Sequence, residues 1–189
     1  MKLLVIRPKR FEDERGWFTE TWSRSRFEAA GLDIDFCQDN HSLSRRPGTL
    51  RGMHFQTPPF AQTKLVRCLR GRVFDVVVDL RRASPTFGQW RGIELSAENG
   101  KQLLIPAGYA HGFLTLEPDC EIAYKVDAPY SAAHDGGFAW NDPAVGIDWP
   151  LDSPLVLSDK DCGLGPLAAG TEDFPYNGKP LGEWEEIVV

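Results

Sequence analysis

Long apolar runs are missing from this chain. Leu3-Leu4-Val5-Ile6 ends at Arg7 and Pro8, too short for the core of a secretion signal. No later run approaches the ~20 residues of a membrane span, so a cytoplasmic protein without membrane contact is expected. Cysteine is sparse: Cys37, Cys68, Cys120 and Cys162 are widely separated, with no C-x-x-C pair. That spacing argues against a disulfide or zinc framework and favours reduced thiols. Excess positive charge is also lacking. The net charge is −6, which leaves no broad basic footprint for nucleic acid. An anionic ligand would need a local cationic pocket working against a mildly repulsive field. Helical periodicity is scarce too, and Ser23–Ala30, closed by Gly31, is the clearest candidate.

What remains is ordinary globular material, 42% hydrophobic and 25% charged, in 189 residues that suffice for one core. Short β-rich runs are separated by Gly, Pro, Asn and Asp. In Val73–Leu80, Phe74, Val76, Val78 and Leu80 share one face, and Asp75, Val77 and Asp79 the other. Lys64–Arg70 precedes it, with Gly71 as the turn. Ile93–Ser96 and Gln102–Ile105 flank A-E-N-G, which reads as a hairpin. Phe113–Leu116 and Glu121–Val126 flank E-P-D-C. Many short strands and little helix predict an all-β sandwich or barrel. Residues 1–162 form the expected domain, and the Gly- and Pro-rich stretch 163–189 is expected to be an irregular tail packed on it.

The segment I-P-A-G-Y-A-H-G-F, residues 105–113, contains P-x-G-x-x-H and resembles the second motif of cupin jelly rolls. In metal-binding cupins that histidine joins an H-x-H pair and a glutamate. Here the pair is His54-Phe55-Gln56, and Lys64 stands where the glutamate would be. An ammonium in place of an anionic ligand opposes binding of a divalent cation. It suits chemistry in which an oxygen anion develops. A jelly-roll β-sandwich with a few short helices and no metal is therefore expected.

Many stretches in one order carry a more specific resemblance. They include D-E-R-G (13–16), L-R-G-M-H-F-Q (50–56), K-L-V-R-C (64–68), V-F-D-V-V-V-D (73–79), S-P-T-F-G-Q-W (84–90), A-Y-K (123–125), W-N-D (140–142) and L-S-D-K-D (157–161). Over residues 5–162 the chain resembles the dTDP-4-dehydrorhamnose 3,5-epimerases, cofactor-free enzymes of dTDP-rhamnose biosynthesis. The resemblance implies His54 as general base, oriented by Asp161, with Lys64 stabilising an enolate and Tyr124 donating a proton from the opposite face. It implies substrate contacts at Arg15, Glu20, Gln38, Asn40, Arg51, His111 and Lys160. Asp135 is carried over more loosely, because this family often has glutamate there and a proline after Tyr130-Ser131 that this chain lacks. The implied partners are a dTDP-linked 4-keto-6-deoxy sugar and a second copy of the chain. In the homodimer the amino-terminal strand with Arg15 and Glu20 would complete the other copy's site.

The chemistry fits these residue types. Protons on carbons 3 and 5 flank the ketone and are acidified by enolate resonance. Both are axial on one ring face of the gluco chair, so one histidine could serve both. A neutral imidazole accepts a proton near pH 7. A carboxylate on its other nitrogen fixes the tautomer. A tyrosine, with an unperturbed pKa near ~10, arrives protonated.

Strand parity raises a structural demand. Arg51 and His54 would face opposite sides of a regular strand, yet both are assigned to one pocket. Gly52 between them is expected to mark a bulge. Other residues read blandly. His41 and His134 receive no chemistry, and Trp17-Phe18 could stack on a base, pack in the core or meet a second copy. Asp75 and Asp79 could support Lys64 from behind. The rival functions are a single-carbon epimerase of another dTDP-deoxysugar pathway and a non-catalytic nucleotide-sugar-binding cupin. A metal-dependent cupin oxygenase is disfavoured by Gln56 and Lys64.

Overall fold

The computed structural model describes residues 1–152, 154–167 and 174–189. In chain order the strands are β1 (Leu4–Arg7), β2 (Arg10–Asp13), β3 (Gly16–Thr19), β4 (Gln38–Ser44), β5 (Leu50–Gln56), β6 (Lys64–Arg70) and β7 (Arg72–Asp79). Then follow β8 (Trp90–Ser96), β9 (Gln102–Ile105), β10 (Tyr109–Thr115), β11 (Cys120–Val126), β12 (Asp135–Gly137) and β13 (Glu185–Val188). The helices are α1 (Arg24–Ala29) and the single turn α2 (Asp159–Cys162). A six-stranded sheet runs β13-β1-β9-β6-β11-β4, a five-stranded sheet runs β12-β5-β10-β7-β8, and β2-β3 form a separate hairpin. This is a cupin-like jelly-roll sandwich. Among the described residues no helix is long and apolar enough to cross a membrane.

Alternation along the strands sorts side chains into three cores. Between the sheets, Val66 and Cys68 of β6 and Ile122 of β11 meet Val73 and Val77 of β7 and Phe113 of β10. The other face of the five-stranded sheet is also buried. There Val76, Val78 and Leu80 pack under Phe138, Val145, Trp149 and Leu167. The apolar stripe read in Val73–Leu80 thus faces this outer layer, and Asp75 and Asp79 point into the sandwich at zero exposure. On the six-stranded sheet's outer face, Phe27 of α1 packs with Leu4, Ile6, Leu65 and Leu104.

Two expectations need correction. The A-E-N-G turn does not join a hairpin, because β8 belongs to the five-stranded sheet and β9 to the six-stranded one. The turn residues specify a reversal, but the partner strand is chosen by distant segments. Residues 163–189 are not irregular throughout either: β13 pairs in parallel with β1. Lys2–Glu185 and Arg7–Glu186 ion pairs flank that edge, at 2.7 and 2.6 Å. Asp79 serves the far end of the sandwich. Its carboxylate takes Arg81 Nε and an Nη, both at 2.8 Å, and the Ser84 and Thr86 hydroxyls. Arg81 also donates to Asn177 at 3.1 Å, which ties the C-terminal segment to this buried cluster.

The expected bulge is present. On β10, Phe113 pairs with Arg51 and His111 pairs with His54, so Gly52 and Met53 together oppose Gly112 alone. The extra residue restores Arg51 and His54 to one face. Gly52 has φ +129, and a Cβ there would lie 2.6 Å from Gly112 Cα. A side chain on Gly112 would in turn meet Met53 Sδ at 2.7 Å. Gly52→Ala is expected to lower stability by about 2–4 kcal/mol through backbone strain and a contact that cannot relax. Chemical denaturation checks this, with Gly165→Ala, whose Cβ meets nothing within 4 Å, as the control.

Candidate active site

The bulge delivers His54 to the cleft between the sheets, with its side chain 29% exposed. Its Nε2–H donates to Asp161 Oδ1 at 2.6 Å, which leaves Nδ1 with its lone pair. Asp161 is buried on α2, where Ser158 is the N-cap. Ser158 Oγ accepts from the Asp161 amide at 3.1 Å and donates to Asp161 Oδ2 at 2.7 Å. Burial pushes the Asp161 carboxyl up. Hydrogen bonds from His54, Ser158 and the Gly52 amide outweigh that and hold it below the usual carboxylate range. An ionised carboxylate facing Nε2 fixes the tautomer in which Nδ1 can act as a base.

The facing sheet supplies the other groups. Lys64 opens β6 in phase with Val66 and Cys68, so its side chain enters the cleft. Among the described residues its ammonium makes no hydrogen bond or ion pair. Burial pushes its pKa down to about 8, against the pull of the Asp75 and Asp135 carboxylates and helped by Lys160. Tyr124 on β11 packs against the same core. Burial raises its phenol above the ordinary value, Arg51 opposes this and Asp135 adds to it, so the hydroxyl stays protonated.

His111, paired in register with His54, is buried, and its Nε2 lies 2.9 and 3.0 Å from the two Asp75 oxygens. Arg51 donates to Ser44 Oγ at 3.2 Å and to Leu43 O at 3.3 Å across the edge of β4. Gln38 and Asn40 lie side by side on β4, joined at 2.8 Å, and Asn40 pairs in register with Tyr124. Asp135 on β12 accepts from Lys160 at 2.5 Å and from the Tyr130 hydroxyl at 3.1 Å. His54, Lys64, Tyr124, Asp161, Gln38, Asn40, Arg51, His111, Asp135 and Lys160 are therefore gathered along the β5–β10 and β6–β11–β4 walls and their rim.

Arg15 and Glu20 are not brought to this cleft in their own chain. Arg15 sits at the tip of the β2-β3 hairpin on Asp13 at 2.5 Å, and Glu20 pairs with Arg26 at 2.6 Å. The hairpin belongs to neither large sheet, so nothing aims these side chains inward. Trp17 and Phe18 are 57% and 66% exposed, which removes core packing from their possible roles in the single chain. His41 rests on Glu121 at 3.0 Å at the surface, and His134 on Ser131 Oγ at 2.8 Å.

The sequence reading missed Ser158 and the structural work of Gln56. The S-D-K-D spacing, a serine before an acidic turn, is the signal that marks Ser158 as an N-cap. Gln56 is buried and its amide is fully engaged by the backbone at Phe60, Pro129 and Ser131. Among the described residues no three His, Cys, Asp or Glu side chains converge to hold a metal ion. The cleft instead combines an imidazole held by a carboxylate, an unengaged ammonium and a protonated phenol, a set able to move a proton beside a carbonyl.

Comparison with known proteins places the chain in one family. A family model described as dTDP-4-dehydrorhamnose 3,5-epimerase matches residues 1–169. A protein of that name from Sinorhizobium fredii is 54% identical over 172 residues, 91% of this chain and 88% of its own length. The crystal structure of the Bacillus anthracis dTDP-4-dehydrorhamnose 3,5-epimerase, with TDP and PPi bound, is 51% identical with a TM-score of 0.84, over 87% of this chain and 93% of that one. The Legionella pneumophila dTDP-6-deoxy-D-glucose-3,5-epimerase, in complex with dTDP-4-keto-L-rhamnose, is 41% identical with a TM-score of 0.82, over 89% and 94%. The matched span contains every strand of the cleft and the turn that carries Asp161, and the chain belongs to the dTDP-4-dehydrorhamnose 3,5-epimerase family of isomerases.

Proposed function

We propose that this chain inverts carbons 3 and 5 of dTDP-4-dehydro-6-deoxy-D-glucose to give dTDP-4-dehydro-L-rhamnose, without metal or cofactor. The observation that carries this reading is the division of labour across the cleft. The His54–Asp161 pair stands on one wall, and Lys64 and Tyr124 stand on the other. Nδ1 of His54 takes the proton from the carbon beside the ketone, and the C–H electron pair becomes the enolate. The Lys64 ammonium meets the negative charge on oxygen. The Tyr124 hydroxyl returns a proton from the opposite face and is itself reprotonated from solvent. His54 releases its proton to solvent, and repetition at the second carbon completes the reaction. Positioned acid–base groups of this kind contribute roughly 10²–10⁴-fold each. The cofactor-free reading is supported by the donor set, since Gln56 is spent on the backbone and Lys64 repels a cation.

The chain also acts, on this reading, as a cytoplasmic homodimer. The β2-β3 hairpin exposes Phe11, Trp17 and Phe18 at 44%, 57% and 66%. Such a patch is well suited to a second copy, and would carry Arg15 and Glu20 to that copy's cleft, where Lys160, Arg51 and His111 await the nucleotide sugar. Trp17→Ser with Phe18→Ser is expected to give a monomer by sedimentation.

Deuterium wash-in at the two carbons tests the activity itself. Wild-type protein should exchange at both, one-site exchange would mark a single-carbon epimerase, and no exchange a binding protein. His54→Asn should abolish exchange at both carbons and spare binding. Tyr124→Phe removes only the donor, so the enolate collapses back from the face it left. That variant should exchange deuterium faster than it inverts configuration, whereas inversion of both carbons at the wild-type rate would dismiss Tyr124 as the acid.

The alkaline side of the rate profile belongs to Lys64. Its ammonium, held at about 8, is present at neutral pH and lost above, so kcat should fall as pH rises through about 8. Lys64→Arg keeps the charge across the whole working pH range, because a guanidinium does not lose its proton there. The variant should be slower because the guanidinium is misplaced, but its alkaline fall should disappear below about pH 10.

A further inference from the structure

Gln56 occupies the place where a metal-binding cupin keeps a ligand, and here all its hydrogen-bonding capacity goes elsewhere. Its Nε2 donates to Phe60 O at 2.7 Å and Pro129 O at 3.1 Å, and its Oε1 accepts from the Ser131 amide at 2.7 Å. One 5% exposed amide thus clamps the backbone on both sides of Tyr130. From Tyr130 the connections continue around the rim. The Tyr130 amide donates to Gln38 Oε1 at 3.2 Å, and its hydroxyl donates to Asp135 Oδ2 at 3.1 Å. The same oxygen accepts from Lys160 at 2.5 Å. Lys160 precedes Asp161 on α2, and Asp161 bonds His54, two residues before Gln56 on β5. β12 closes the ring from the other side, since Asp135 pairs in register with Gln56 and Gly137 with His54.

We infer that Gln56 is a positioning residue for substrate binding: its amide holds the 129–131 loop so that Tyr130 and Asp135 aim Lys160 at the nucleotide sugar. This rests on the proposed function, in which Lys160 contacts that ligand. The base is expected to be spared. Asp161 is held independently by Ser158 and the Gly52 amide, so loosening the loop leaves the His54–Asp161 pair in place. A purely structural Gln56 would lower stability and leave ligand affinity untouched.

The choice of amide is specific. Glutamate at position 56 keeps the size and the acceptor but turns both donors into oxygen facing carbonyl oxygen. Methionine keeps the length and removes all three bonds. Losing hydrogen bonds that position one ligand contact sets a change of about tenfold as the scale to expect.

The test compares Gln56→Met, Gln56→Glu, Asp135→Asn and the Gln56→Met/Asp135→Asn double variant of the full chain. Calorimetric titration with dTDP reads binding without turnover, and steady-state assay on the 4-keto sugar separates KM from kcat. Gln56→Met should weaken dTDP and raise KM by about tenfold, with kcat within about twofold of wild type. Gln56→Glu should be worse than Gln56→Met. The double variant should bind no more weakly than the poorer single variant, because both changes break one ring. Should Gln56→Met or Gln56→Glu not fold, Tyr130→Phe, at a 60% exposed residue, breaks the same ring without touching the core and should weaken dTDP in the same direction. Unchanged dTDP affinity in folded Gln56→Met or in Tyr130→Phe, or independent effects that multiply in the double variant, would overturn the inference. A wild-type chain that binds dTDP but exchanges no deuterium would instead overturn the epimerase reading and leave the ring's effect on binding measurable.

Discussion

The site depends on two backbones that touch. Gly52 and Gly112 approach so closely that neither tolerates a side chain, and the approach exists because β5 carries one residue more than β10 across that interval. Without the extra residue, Arg51 and His54 would lie on opposite faces of the sheet. One would then be buried in the outer layer with Met53, and the other would remain in the cleft. The same displacement turns the Gly52 amide toward Asp161, so the bulge both presents His54 and supplies a donor to the carboxylate behind it. A local irregularity of one residue therefore sets the protonation geometry of the whole cleft.

The two walls have different electrostatic tasks. On the β5 side, a buried carboxylate is kept anionic by three donors, one of them the imidazole in front of it. On the β6–β11 side, an ammonium sits largely desolvated with no direct counter-ion among the described residues, and a phenol is kept neutral by burial. Charge created by proton removal would thus appear between an imidazole backed by a carboxylate and a wall already positive. Desolvation makes Lys64 less stable as a cation and, for the same reason, a stronger partner for an oxyanion.

Much of this was legible in the residues. Motif order identified the family, the replacement of a metal ligand by Lys64 pointed to oxyanion chemistry, and strand parity called for a bulge at Gly52 once the resemblance had assigned Arg51 and His54 to one pocket. The His54–Asp161 pair spans 107 positions in the chain, and no local pattern could have placed it without the family resemblance. What failed did so for physical reasons. The A-E-N-G turn encodes a reversal but not the sheet in which the next strand finds its partner. The stripe of Phe74, Val76, Val78 and Leu80 reads as a core face, and it is one, yet the layer that covers it comes from residues 138–167, which have almost no regular structure to predict. Arg15 and Glu20 match their motif in sequence while lying outside their own chain's cleft, because the β2-β3 hairpin that carries Arg15 joins neither large sheet and Glu20 is held by Arg26.

The parallel pairing of β13 with β1 has a consequence for how the molecule comes together. Lys2 and Glu185 stand 183 residues apart in the chain yet meet at one sheet edge. β1 emerges from the ribosome before the other strands of the described residues, and β13 after them. For the whole of synthesis, β1 must keep one edge unpaired, with apolar Leu4, Val5 and Ile6 beside open backbone donors and acceptors. An uncovered edge of that kind recruits strands from neighbouring chains, and so long a closure slows the final step of folding. The short length of β1 and the charged residues on either side of it, Lys2 and Arg7, are the features that blunt this hazard until β13 arrives.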